Sequence, residues 1–151
     1  MDEMKWHWYT FDELGVNTLY DYLRLRQQVF IIEQHCIYPD LDDHDQLAQH
    51  LLGFTASGNL VACLRLIAPG NKYPEPSLGR IVVAQSMRQQ KLGHYLVNEG
   101  LKYARELYPG QPIRIQAQAY LQKFYAQHGF EAKGDVYNED GIDHIDMMTT
   151  S

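Results

Sequence analysis

"GRIVVAQSMRQQKLGHYL" (residues 79–96) reads as a strand, a short loop and the start of a helix. An apolar, β-branched run gives way to a polar loop and then to apolar residues at helical spacing. Such a junction leaves the N–H groups of the first helical turn without intrahelical partners, at the positive end of the helix dipole. A terminus of that kind binds a pyrophosphate through backbone alone when no bulky side chain obstructs it. Gly93 keeps one approach open, and Arg88 and Lys91 add positive charge. A second reading is equally physical: residues 88–93 start a helix, and Gly93 is a packing glycine. Neither G-x-x-x-x-G-K-[ST] nor G-x-G-x-x-G is present, so spacing alone leaves both readings open.

Downstream, Leu92, Leu96, Val97, Leu101, Ala104 and Leu107 fall on one face of a helix over 91–107. "IRIQAQA" (113–119) alternates as a strand, and "YLQKFYAQHGF" (120–130) reads as a short helix closed by Gly129. The C-terminal segment reads as a hairpin around Glu139-Asp140-Gly141. Upstream, "KWHWYT" (5–10) is a first strand, followed by a helix that Thr18 and Asp21 would open as a capping box. Leu19, Tyr22, Leu23, Arg26, Val29, Phe30 and Glu33 share one face of it. Residues 47–56 and 60–68 form a hairpin across "SGN", and 77–84 is a fourth strand. The order β-α-β-β-β-α-β-α-β-β describes an α/β (α+β) domain, one central mixed, mostly antiparallel sheet flanked by helices.

The chain of 151 residues reads as one domain over 1–151, large enough for a substantial core. No apolar run approaches the ~20 residues of a membrane span, and the N-terminus lacks the pattern of a secretory signal. Those features and only two cysteines, Cys36 and Cys63, place the protein in the cytoplasm with reduced thiols. A net charge of −6 argues against nucleic acid and suits a small cationic partner.

"QAQAYLQKFYAQHGF" (116–130) sets Tyr125 on a helix after a strand, with an aromatic and glycine closure behind it. Together with residues 79–93 it resembles the GCN5-related N-acetyltransferase family, whose loop after the fourth strand reads [Q/R]-x-x-G-x-[G/A]. Arg88-Gln89-Gln90-Lys91-Leu92-Gly93 matches at its first and last positions, while Lys91 stands where the first glycine is usual. "RQQVFIIEQHCIYPDLDDHD", "HLLG", "LGRIVV", "AQAYLQKFY" and "VYNEDGIDHIDM" extend the resemblance, narrowed to the ElaA-type acetyltransferases, over residues 26–147.

The resemblance implies transfer of an acetyl group from acetyl-CoA to an amine, with dimers common and no metal. It implies that the N–H groups of residues 89–94, thus Gln89, Gln90, Lys91, Leu92, Gly93 and His94, meet the pyrophosphate, with Arg88 beside them. Ile81, Val82 and Val83 would pair with the pantetheine arm as an added strand, with Gln118 and Phe124 near it. The Val83 N–H would face the thioester oxygen. Tyr125 matches the family's general acid: a phenol of pKa about 10 can protonate a thiolate of pKa about 8.5 only slightly uphill. Its bland alternative is packing beneath the sheet. An alkylammonium must lose a proton before it attacks, and Glu33, His50 and His144 are the candidate bases or water-organisers.

"YPDLDDHDQ" (38–46) reads as a solvated acidic loop or an anionic rim for a cationic amine. It is no EF-hand, because the sixth and twelfth positions counted from Asp40 hold Asp45 and Leu51. Cys36, His44 and His50 lack zinc-ligand spacing. Two alternatives to an enzyme remain: a non-catalytic acyl-CoA-binding module, argued from Lys91, and a metal-dependent or pH-sensing protein built on the Asp/His loop.

Overall fold

The structure, a computed structural model, describes residues 3–150. Seven strands form one sheet in the order β1-β2-β3-β4-β5-β7-β6: β1 (Lys5–Thr10), β2 (Gln49–Phe54), β3 (Leu60–Ile67), β4 (Ser77–Val83), β5 (Arg114–Gln118), β6 (Glu131–Glu139) and β7 (Ile142–Met148). Three helices accompany them: α1 (Gly15–Arg26), α2 (Leu92–Leu107) and α3 (Gln122–Ala126). Every neighbouring pair of strands is antiparallel except β4 and β5. The element order is the one the sequence pattern predicts.

The central strands are apolar on both sides because both faces of the sheet are covered. On one face, Leu51, Ala62, Leu64 and Leu66 pack with Leu96, Val97, Leu101 and Ala104 of α2. On the other, Leu52, Cys63 and Val82 pack with Tyr22 of α1 and Val29. Leu107, expected on the buried face of α2, is 41% exposed, since the helix ends there beyond the sheet.

The first helix departs from expectation twice. It begins at Gly15, so Thr18 lies inside it and caps nothing. The preceding turn is closed by Glu13 N–H to the Thr10 carbonyl and Thr10 N–H to Glu13 Oε1, which lets the helix start a turn early. Beyond Arg26 it widens into a π-helical segment, Gln27–Glu33, a local feature often found at functional sites.

The decisive feature for function is β4. Val82 pairs with Cys63 but Gly79 with Arg65, so three steps on β4 oppose two on β3. The bulge contains Arg80, whose φ of 47° is rarely adopted by a side-chain-bearing residue. β4 and β5 pair at one position, Ser77 with Arg114, and then separate.

Candidate active site

The separation of β4 from β5 opens a cleft of about 580 Å³, lined also by the π-helical segment, the start of α2, α3 and the β6–β7 hairpin. β4 presents free backbone to it. Ala84 N–H donates to the Val61 carbonyl at 2.7 Å, on the β3 side; by strand alternation the Val83 N–H points the other way. The Val83 carbonyl, on the same side as that N–H, accepts from Arg88 Nε at 3.1 Å. Ile81, Val82 and Val83 all line the cleft.

The loop after β4 is a 3₁₀ segment, Gln85–Gln90, and α2 begins at Leu92. Lys91 between them has φ 57° and ψ 26°. That is the left-handed conformation which glycine enters without steric cost. The lysine therefore keeps the backbone path of the glycine it replaces, with its side chain exposed. Arg88, Lys91, Gly93 and His94 line the cleft, as do Gln118 and Phe124. The Leu92 side chain does not; it packs with Val61 and Met87, which leaves only its backbone for a ligand. The side chains of Gln89 and Gln90 lie outside the described residues. A Cβ on Gly93 would stand 3.4 Å from Phe124 Cζ, an ordinary contact, so Gly93 both packs and keeps its face of the terminus low.

Tyr125 lies on α3 between Phe124 and Phe130, edge to face with both rings, and reaches the cleft. Burial, and then the neighbouring Tyr120, push its phenol well above the usual tyrosine range, so it stays protonated at neutral pH. His94 extends into a side-chain chain: its Nδ1 is 2.9 Å from His128 Nε2, and His128 Nδ1 is 3.0 Å from Asn98 Oδ1.

The three candidate bases separate clearly. His144 lines the cleft on β7 opposite Gln118. Its Nδ1 donates to the Ile142 carbonyl at 2.8 Å, so in the neutral ring Nε2 carries the lone pair. Glu33 also lines the cleft, but Arg88 holds both its oxygens, at 2.5 and 2.9 Å. His50 is fully buried and lies outside the cleft. Its Nε2 donates to the Asp45 carbonyl at 2.8 Å, and Tyr22 O–H donates to its Nδ1 at 2.8 Å. Burial pushes its pKa down, against the pull of Asp45. His50 is a satisfied interior histidine, and its strand alternation alone could not distinguish that from a site residue.

The acidic loop is not an anionic rim. Asp40 and Asp45 are buried and Asp42 is partly so. Arg26, itself fully buried, binds Asp45 at 2.7 Å and Asp40 at 3.1 Å. Arg65 takes Asp42 at 2.8 Å and Asp45 at 3.1 Å, and Arg80 takes Asp40 at 2.8 Å. Among the described residues no group of three or more His, Cys, Asp or Glu is placed to hold a metal. Sequence reading overlooked Arg65 and Arg80 as cleft residues. The available signal was a charge in the middle of an apolar strand, which must find partners when buried.

The acetyltransferase (GNAT) domain family matches residues 18–151. The chain belongs to that family. A UPF0039 protein of Synechocystis is 39% identical over 97% of this chain and 95% of its own. ElaA of Escherichia coli is 36% identical over 95% of each. An acyl-CoA N-acyltransferase from Pseudomonas aeruginosa superposes with a TM-score of 0.91 at 36% identity, covering 97% and 99% of the two chains. The crystal structure of E. coli ElaA superposes with a TM-score of 0.90 at 35% identity over the same shares. Proteins of the GNAT fold use acyl-CoA as co-substrate. Among the described residues no helix is long and apolar enough to cross a membrane.

Proposed function

We propose that the protein transfers the acetyl group of acetyl-CoA to a primary amine by direct attack within a ternary complex. The observation that carries this reading is the unpaired edge of β4, whose Val83 N–H faces the cleft away from β3. A pantetheine amide can pair with that edge as an added strand. The Val83 N–H is then a fixed donor for the oxygen that gains charge as the amine attacks the thioester. The N–H groups of residues 89–94 receive the pyrophosphate, and the glycine-like backbone of Lys91 supports that role by leaving the helix start intact.

Tyr125 supplies the proton for the departing thiolate: it lines the cleft and burial keeps its phenol protonated. Protonation by so weak an acid is uphill, so the hydroxyl acts as the thiolate forms rather than beforehand. His144 is the better-placed acceptor for the proton that the substrate ammonium loses before it attacks, because its Nδ1–H is committed to Ile142 and its Nε2 lone pair is left free. Glu33 serves by holding Arg88 beside the Val83 carbonyl.

Thiol release with acetyl-CoA and a panel of primary amines tests the proposal. Tyr125→Phe should lower kcat about 10²–10⁴-fold with acetyl-CoA affinity unchanged. An unaltered kcat would remove Tyr125 from the mechanism. Acetyl-CoA binding without thiol release on any amine would favour a non-catalytic acyl-CoA-binding module instead.

A further inference from the structure

Lys72, on the connection between β3 and β4, lines the cleft half-buried. Among the described residues it forms no ion pair. Its surroundings make that costly. Burial depresses the Lys72 ammonium, and the charges of Arg65 and then Arg80 depress it further, against weaker support from Asp42 and Glu139. The neighbouring arginines offer no spare counterion, since Arg26, Arg65 and Arg80 together match Asp40, Asp42 and Asp45 in charge. The Tyr73 ring, 5.4 Å from Lys72 Nζ, compensates in part but already faces Arg114 at 4.8 Å.

A second observation points the same way. Arg65 lines the cleft, is 1% exposed, and its buried Nε has no hydrogen-bond partner among the described residues. A buried N–H without an acceptor costs free energy that a bound oxygen would recover. A surplus ammonium beside a guanidinium with a spare N–H is complementary to a carboxylate.

We infer that the acceptor amine carries a carboxylate, which Lys72 and Arg65 bind at the end of the cleft away from Val83. The inference rests on the acyl-transfer reading above and names its substrate class. Arg65 pairs in register with Gly79, four residues before Val83 on β4. At about 3.3 Å per residue the two ends lie roughly 13 Å apart along the strand. The carboxylate is therefore several bonds from the reacting nitrogen, as in an ω-amino acid or a peptide, and not α to it. Polyamines, which bring only positive charge, are disfavoured.

The test compares 4-aminobutanoate, 6-aminohexanoate and 8-aminooctanoate with their carboxamides and with spermidine, by thiol release at saturating acetyl-CoA. The longer acids should exceed their amides in kcat/KM by about tenfold or more. Lys72→Met should abolish that preference, bringing acid and amide to similar kcat/KM, while Lys72→Arg restores much of it. Wild-type protein that prefers the amides or spermidine would overturn the inference. So would a Lys72→Met loss equal for acid and amide. Calorimetry of the same compounds with CoA bound separates this inference from the reading beneath it. If no amine releases thiol, acid binding that Lys72→Met removes would still uphold the carboxylate site, and absent acid binding would refute it.

Discussion

Residues 40–45 and 88–93 are both short polar loops near one cleft, and they are built on opposite principles. The first is held by side-chain charge: Asp40, Asp42 and Asp45 turn towards Arg26, Arg65 and Arg80 and are largely lost from the surface. The second works through backbone: a 3₁₀ segment, a left-handed Lys91 and the open start of α2. The acidic loop ties the end of α1, β3 and the β4 bulge together. In the other loop, the Arg88 and Lys91 side chains are exposed. Composition alone suggests the reverse, an acidic surface inviting a partner and an incomplete glycine motif that has lost one.

The sharpest way to break this contrast is to remove one charge from each region. Arg26→Ala removes one guanidinium from the buried cluster, leaving Asp40 to Arg80 and Asp45 to Arg65 alone, and should cost about 3–5 kcal/mol in chemical denaturation. Arg88→Ala, whose pair with Glu33 is 40% and 31% exposed, should cost at most about 1 kcal/mol. Equal losses would mean that the inner cluster is no more structural than the outer pair.

Acid should find the inner cluster next. Burial raises the Asp42 carboxyl, but hydrogen bonds and charge from Arg65, then Arg80, overcome it and hold the group well below the usual range. Asp45 is lowered likewise, its burial outweighed by Arg26 and Arg65. A depressed folded-state pKa contributes stability above the unfolded value, 3.8 for both, and loses it as pH falls further. His50, whose pKa burial lowers from 6.5, adds a loss of the same sign below that pH. The melting temperature should therefore fall modestly below pH 6.5 and steeply below pH 3.8. Asp42→Asn should be less stable at neutral pH and flatter in acid.

The smallest effect belongs to the backbone loop. Lys91→Gly removes a left-handed side-chain-bearing residue and should stabilise the fold by about 1 kcal/mol, seen as a raised melting temperature, with acetyl-CoA affinity retained. Weakened affinity would show that the Lys91 side chain itself binds the ligand.

The same contrast explains what could be read from the chain. The helix with Leu92, Leu96, Val97 and Leu101, the alternation of 113–119 and the hairpin at Gly141 are local periodic signals, and the structure reproduces them. The Tyr125 helix and the loop at 88–93 were likewise legible because their residues are consecutive. The arginine partners of the acidic loop lie 14 to 40 residues away in sequence, so no local pattern pairs them. His50 shows the limit on single residues, since alternation gives its face but not whether α1 covers that face. Lys72 sits in a proline-punctuated loop without any spacing signal; only the sheet brings it beside Arg65 and Arg80.

The central claim, that the gap between β4 and β5 receives acetyl-CoA for transfer to an amine, meets its most direct test in one titration. Acetyl-CoA added to the protein in a calorimeter, followed at once by amines and a thiol-release readout, addresses cofactor and chemistry together. Saturable binding with thiol release on an amine class is the expected result. No binding at all would contradict the account, and would mean that neither the open edge of β4 nor the start of α2 holds the ligand their geometry suits.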